Sequence, residues 1–529
     1  MRATKLFVIC CFLSAALFGD ERIRRWQTDL RYLQEEMEAR HAKVDHTISR
    51  TELRSEIVAL EQRLPALRDD QIVVEIARIT AKIGDGHTGV FFFSNRGNFP
   101  HRRIPIELYA ASDGWLILAA SNEYASLAGQ RILEIGSTDI EEISRAIQPL
   151  MPRDNEESLR ARSVKWIVLA ELLQTLGFVE DADDVPLLVE DSAGERRSVV
   201  VHPVPRGTSI EWVHASAALW LRNRDRKYWM EYLEDSKMLY VQFNSADISA
   251  GAPEEEWRAF THSIVDTVET RKPDKLVIDL RWNAGGSFLR TRHLLWAVIR
   301  ADSINRKGKL FTILSPISFS AAMSLATELD FHTQTLFVGE VGGGRPNAYG
   351  DLGRLMLPNS GIEVRFSRYY YGQSVPEDTR PTIFPDLVAP LSIAGYRAGV
   401  DPALEVIRNY KPPVPIGNVI GPVALENGVE AAVQLYRRLR KEKYNDYSWE
   451  PNELDRIGTR LMDAGRTADA LKIYRLNSAE HPWWAWGHAR LGYTLIESGD
   501  RNAGLEEYRR AFELDKRNGF YRDELRKSP

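Results

Sequence analysis

Apolar and polar positions change period several times along the chain. From residue 20 to 82 the period is helical. Leu30, Leu33 and Met37 share one face, and Leu53, Ile57, Leu60 and Leu64 share another. Pro65 interrupts that pattern, and a further helix is predicted over 70–82, so the segment reads as an N-terminal helical bundle. Residues 83–103 form a loop and strand: Ile83-Gly84-Asp85-Gly86-His87-Thr88 is punctuated by glycine and leads into a strand at 90–93. From 104 to 206 short apolar runs alternate with turns. Strands are expected at 104–109, 115–119, 131–135, 187–189 and 198–201, and helices at 139–150 and 157–176, in a small mixed module. Within 207–405 strands at 238–243, 275–280, 310–314 and 336–338 alternate with helices at 253–272, 287–300 and 320–329. That alternation predicts an α/β core with some parallel pairing.

Residues 406–448 read as a helical linker, with Pro412-Pro413-Val414-Pro415 marking a domain boundary. Residues 449–529 repeat with a period of 34: Leu461 matches Leu495, Gly465 matches Gly499, and Tyr474 matches Tyr508. This is the period of tetratricopeptide helix pairs, which offer a concave surface to a protein partner. Trp483, Trp484 and Trp486 fall between the repeats and are expected as inter-repeat core.

Residues 1–19 have a positive start at Arg2 and Lys5, an unbroken apolar run from Leu6 to Leu13, and small residues at Ser14, Ala15 and Ala16. That is the layout of a signal peptide, which implies an exported protein, periplasmic or secreted. No other stretch approaches the ~20 apolar residues of a membrane span, so none is expected after signal cleavage.

The 529 residues carry 69 Lys+Arg and 74 Asp+Glu, a net charge of −5, which argues against a nucleic-acid partner. Both cysteines, Cys10 and Cys11, lie in the N-terminal apolar run, which excludes a disulfide scaffold and a cysteine-ligated metal. There is no H-E-x-x-H, and His41 and His46 alone do not make a metal site; no metal or organic cofactor is expected. The glycine-rich run 339–345 lacks the G-K-[ST] ending of a phosphate loop.

Ser320 opens a predicted helix. The helix dipole and the free N–H of Ala321 favour a developing negative charge there, although serine is also a favoured N-cap. Gly285-Gly286, after the strand 275–280, can present a second N–H to an oxyanion. His87 sits on a shaped loop, as a general base must, and Glu377, Asp378 and Asp386 supply carboxylates downstream of Ser320.

The strings IGDGHTGV (83–90), LYVQFN (239–244), KLVIDLRWNAGG (275–286), SFSAAMSLATEL (318–329), VGEVGGGRPNAYGD (338–351), LPNSGIEV (357–364) and FPDLV (384–388) occur in one order. Together, over roughly 30–400, they resemble the tail-specific and tricorn-type serine peptidases, relatives of the C-terminal processing peptidases and of the interphotoreceptor retinoid-binding protein. The resemblance implies a crotonase/ClpP-like α/β core and a divergent PDZ-like module over 104–206. Where the processing peptidases place a catalytic lysine, this chain has Arg345, which cannot act as a base. The sequence is therefore more similar to the tricorn-type branch, with Ser320 as nucleophile and His87 as base. Gly286 (or Gly285) and Ala321 become the oxyanion donors, and Asp378, with Glu377 close behind, the supporting acid. Arg345 becomes a candidate for binding a substrate carboxylate. The implied activity is hydrolysis of peptide bonds in peptide or protein substrates. Two alternatives stay open: a binding protein on a peptidase-like fold, and a scaffold that works through its repeats.

Overall fold

The computed structural model describes residues 2–92, 102–247 and 254–526, without the side chains of residues 2–20 and of Asn445. The chain forms two compact units, 1–410 and 411–529.

The central sheet of the first unit has six strands: β1 (Tyr228–Leu233), β2 (Met238–Phe243), β3 (Lys275–Asp279), β4 (Leu310–Leu314), β5 (Leu336–Gly339) and β6 (Leu387–Val388). They lie side by side in that order. β1 is antiparallel to β2, and every later pairing is parallel. Parallel neighbours need crossovers, supplied after β2, β3 and β4 by α1 (Glu254–Arg271), α2 (Phe288–Arg300) and α3 (Ala321–His332). β2 and β4 are buried throughout, which is why they read as mostly apolar runs, broken only by Gln242 and Thr312. Leu239, Val241, Leu276 and Ile278 pack with Trp257, Ile264, Leu294 and Leu325 of the three helices. Tyr240, Val277, Phe311 and Ile313 line the opposite face, with Leu404 and Ile407 of the Pro402–Asn409 helix. The carboxyl ends of β3, β4 and β5 open into loops 280–287, 315–320 and 340–346, the edge where open α/β sheets hold ligands.

The remaining strands of this unit form antiparallel sheets. One runs Trp212–His214, Gly114–Ser121, Arg131–Ile135, Val185–Glu190, Arg196–Val201, with Ile106–Ala111 paired to Gly114–Ser121. It therefore reaches past residue 206, the expected end of the module. A long hairpin, Asn347–Met356 with Glu363–Gly372, takes Gly89–Val90 as a third strand. Phe93, the end of the strand expected there, lies outside the described residues.

The N-terminal helices end at Arg40, Arg63 and Ala81, and Leu30, Leu33, Met37, Leu53, Ile57, Leu60 and Leu64 are all buried, as the periodicity predicts. They are not a separate bundle: they share one core with Ile117, Ile135 and Leu172 and with Val364 and Phe366 of the hairpin. The helix expected over 157–176 is broken into Leu159–Arg162, Val164–Ile167 and Ala170–Thr175. Tertiary pairing overrides helix propensity at the break: Val168 accepts from Ile104 N, and extended Leu169 bridges Arg103.

In the second unit, Gly465 and Gly499 both turn with positive φ, and Tyr474 and Tyr508 are both buried, so the 34-residue period is structural. Helices Ile416–Glu426 and Val429–Glu442, expected as a linker, pack in the same core as Leu454, Ile457 and Tyr474. The tryptophan cluster is not core: Trp483 and Trp486 are 63% and 40% exposed. Among the described residues no helix is long and apolar enough to cross a membrane.

Candidate active site

The loop after β3 is fixed first. Arg281 forks onto Asp401 at 2.8 and 3.1 Å and reaches Asp279 at 2.9 Å, while Tyr240 donates to Asp279 at 2.6 Å, all buried. Removing a guanidinium that neutralises two buried carboxylates leaves both unpaired. Arg281→Met is therefore expected to lower the unfolding free energy by about 3–5 kcal/mol, read by urea unfolding.

Asn283 ties this loop to the next one. Its side-chain oxygen accepts from Gly285 N at 2.9 Å, its amide donates to Phe243 O at 3.0 Å, and its carbonyl accepts from Phe319 N at 3.0 Å. Ser315 Oγ and Ser318 Oγ donate to the carbonyls of Arg281 and Leu280 at 2.7 and 2.9 Å. The 315–320 loop is thereby stitched to the glycine pair.

Ser320 ends that loop with φ +53° and ψ −122°, just before α3. A non-glycine residue there is strained by about 1–3 kcal/mol, a cost that functional sites commonly carry. Its hydroxyl makes no N-cap bond, so the capping reading does not hold. The Oγ lies 3.1 Å from His87 Nε2 instead. Gly285 and Gly286 hold φ +110° and +133°, and an added Cβ on Gly285 would stand 2.6 Å from Ser320 Cβ. Gly285 N is occupied by Asn283, which leaves Gly286 N and Ala321 N without a hydrogen-bond acceptor among the described residues.

His87 is positioned by its own loop. Its backbone N donates to Asp85 Oδ1 at 3.0 Å, and Asp85 also accepts from Ser367 Oγ at 2.6 Å and His41 Nε2 at 3.0 Å. His41 Nδ1 accepts from Lys43 N, which places the ring proton on Nε2 facing Asp85. Burial raises the Asp85 carboxyl, but the bonds from His41, Ser367 and Thr88 outweigh it and hold the pKa below the ordinary range. The His87 ring leans on Phe319, with centroids 4.7 Å apart. Its Nδ1 is buried with no hydrogen-bond partner among the described residues.

The expected acid is not at that nitrogen. Asp378 pairs with Arg380 at 2.8 Å, which holds its carboxyl down to about 2, and Glu377 is exposed. The charge beside His87 is Asp154, buried, whose Oδ1 accepts from Gly86 N at 2.6 Å. Burial raises its pKa, and positive charge on His87 lowers it. Arg345 lines the cleft, but its Nε is bound to the Asp154 carbonyl. The polar run Arg153-Asp154-Asn155 carries no motif, so only the folded chain brings Asp154 to the site.

Asp378→Asn is expected to leave turnover unchanged and to lower the melting temperature at neutral pH. The Asp378 pKa falls from 3.8 to about 2 on folding, so its stabilisation is present above 3.8 and lost as pH falls through about 2. The gap in melting temperature between variant and wild type should close over that window.

No family model matches the chain, and no curated protein does. Among solved structures, mature CPAF complexed with lactacystin superposes with a TM-score of 0.53 at 13% identity, over 74% of this chain and 97% of that one. The photosystem II D1 C-terminal processing protease aligns with a TM-score of 0.37 at 14% identity, over 71% and 98%. Tricorn protease aligns with 0.34 at 11%, over 74% and 36%. The chain has the fold of mature CPAF, a mixed α/β architecture.

Proposed function

We propose that the chain is an exported serine-type peptidase that cleaves peptide bonds through an acyl-enzyme on Ser320. The observation that carries this reading is Ser320 Oγ, strained at a helix start and 3.1 Å from His87 Nε2. In the proposed reaction His87 Nε2 takes the hydroxyl proton as Oγ bonds to the peptide carbonyl carbon. The oxyanion accepts from Gly286 N and Ala321 N. The C–N bond breaks as His87 returns the proton to the leaving amine, and water then hydrolyses the ester by the same relay. Asp154, buried beside the base, takes the supporting role expected of Asp378 and faces the imidazolium as it forms. The core belongs with crotonase/ClpP-like folds in this reading, the 104–206 module is PDZ-like, and residues 449–529 are tetratricopeptide-like and open to a protein partner.

The test is to incubate the purified full chain with a synthetic library of decapeptide amides and sequence the products by mass spectrometry, beside Ser320→Ala. Internal cleavage by wild type alone is expected. Intact peptides from well-folded wild type would favour the binding reading.

A further inference from the structure

Two cavities meet at one lysine. The cleft that holds Ser320 and His87 encloses about 750 Å³, and a second cavity of about 480 Å³ adjoins it. Val164, Lys165 and Ile317 line both. Lys165 is exposed where it fronts these cavities, and the protein mass around it and then Arg162 lower its pKa. Its ammonium has no hydrogen bond or ion pair among the described residues.

The surroundings are short of negative charge. Arg162 lines the catalytic cleft, and Arg103 and Arg224 line the second cavity. All three repel Lys165, and Glu107, which also lines the second cavity, attracts it. Glu107 is paired with Arg224 at 2.7 Å and stands 4.0 Å from Arg103, and Asp154 balances Arg162. Glu107 attracts Lys165 across the second cavity, but its ion pair is with Arg224, which leaves Lys165 with no ion pair of its own among the described residues. Two further donors are unsatisfied: Arg103 Nε and Arg162 Nη1 are buried with no hydrogen-bond partner among the described residues. Buried cationic donors without acceptors are costly, and an anion delivered by a ligand relieves that cost. The apolar walls contributed by Ile106, Leu108, Leu118 and Val168 suit a short aliphatic stem ending in a carboxylate.

We propose that Lys165, with Arg162 and Arg103, forms a carboxylate-binding subsite beside Ser320 that takes an acidic group of the bound peptide. The subsite deepens the peptidase reading and rests on it only in calling that peptide a substrate. It assigns to Lys165 the part that the sequence suggested for Arg345, whose Nε is already committed to the Asp154 carbonyl. A charge-assisted bond to an exposed ammonium backed by two partly buried guanidiniums corresponds to a preference of roughly tenfold.

The test uses full-length Ser320→Ala, so that retention is read without cleavage. The immobilised protein is offered the decapeptide-amide library, and retained peptides are sequenced. Enrichment of Asp- and Glu-containing peptides by roughly tenfold is expected, lost in a second variant that adds Lys165→Gln and kept in one that adds Lys165→Arg. A matched library with free C-termini separates the two sources of carboxylate. Preference for free acids over amides, independent of Asp or Glu and lost with Lys165→Gln, assigns the subsite to the chain terminus. Equal retention of acidic and neutral peptides in both libraries, no retention at all, or enrichment that survives Lys165→Gln overturns the proposal. The two readings fail separately. Lysine-dependent acidic enrichment with no cleavage by wild type leaves the subsite standing and removes the peptidase. Cleavage by wild type with no acidic preference does the reverse.

Discussion

Ser320→Ala is expected to lower turnover of the best-cleaved library peptide by roughly 10⁴–10⁶-fold, and His87→Ala by a similar factor. The double variant should be no worse than either single one. The two side chains act as a unit across a 3.1 Å contact: a base without a hydroxyl to deprotonate contributes nothing, and neither does a hydroxyl without its base. Additive losses in the double variant would mean that they act independently. Residual activity is expected to come from Gly286 N, Ala321 N and peptide binding alone.

The second large effect comes from a residue with no side chain. Gly285→Ala is expected to cut turnover by roughly 100–1,000-fold while the protein stays folded. The new Cβ would stand 2.6 Å from Ser320 Cβ, 3.0 Å from Phe319 O and 3.2 Å from Ala321 N, so the nucleophile and an oxyanion donor must both shift. Backbone strain adds to this, because φ is +110°. Gly194→Ala is the control for a positive-φ glycine away from the site. It also carries positive φ, at +85°, but meets nothing within 4 Å, so it should lower the melting temperature slightly and leave turnover unchanged. Equal losses of turnover in the two variants would contradict a collision at Ser320 as the cause.

The sequence reveals most where function or periodicity fixes several neighbours at once. The sheet strands 238–243 and 310–314 match the expected bounds because burial on both faces leaves a mostly apolar run in each. Ser320 and His87 are legible because each sits in a motif, although 233 residues separate them. Asp378 was expected at the histidine on its place downstream of Ser320, and sequence distance says nothing about which loop folds back. Its neighbour Arg380 captured it. Asp154 and Asn283 act through bonds to backbone N–H groups, which leave no trace in residue pattern. The hairpin 347–372 was not anticipated, because exposed tyrosines such as Tyr369 and Tyr370 break the alternation expected of a half-buried strand. The tryptophans at 483 and 486 misled in the other direction: large aromatic residues between repeats suggest core, yet the helices close on Tyr474 and Tyr508 instead.

The central claim is that His87 activates Ser320. The most direct measurement treats the purified full chain with a fluorophosphonate probe and reads intact mass and the labelled peptide, beside Ser320→Ala and His87→Ala. One adduct per chain, on Ser320 and absent from both variants, is the predicted result. A folded wild-type protein that takes no adduct, or labelling that persists in His87→Ala, would contradict it.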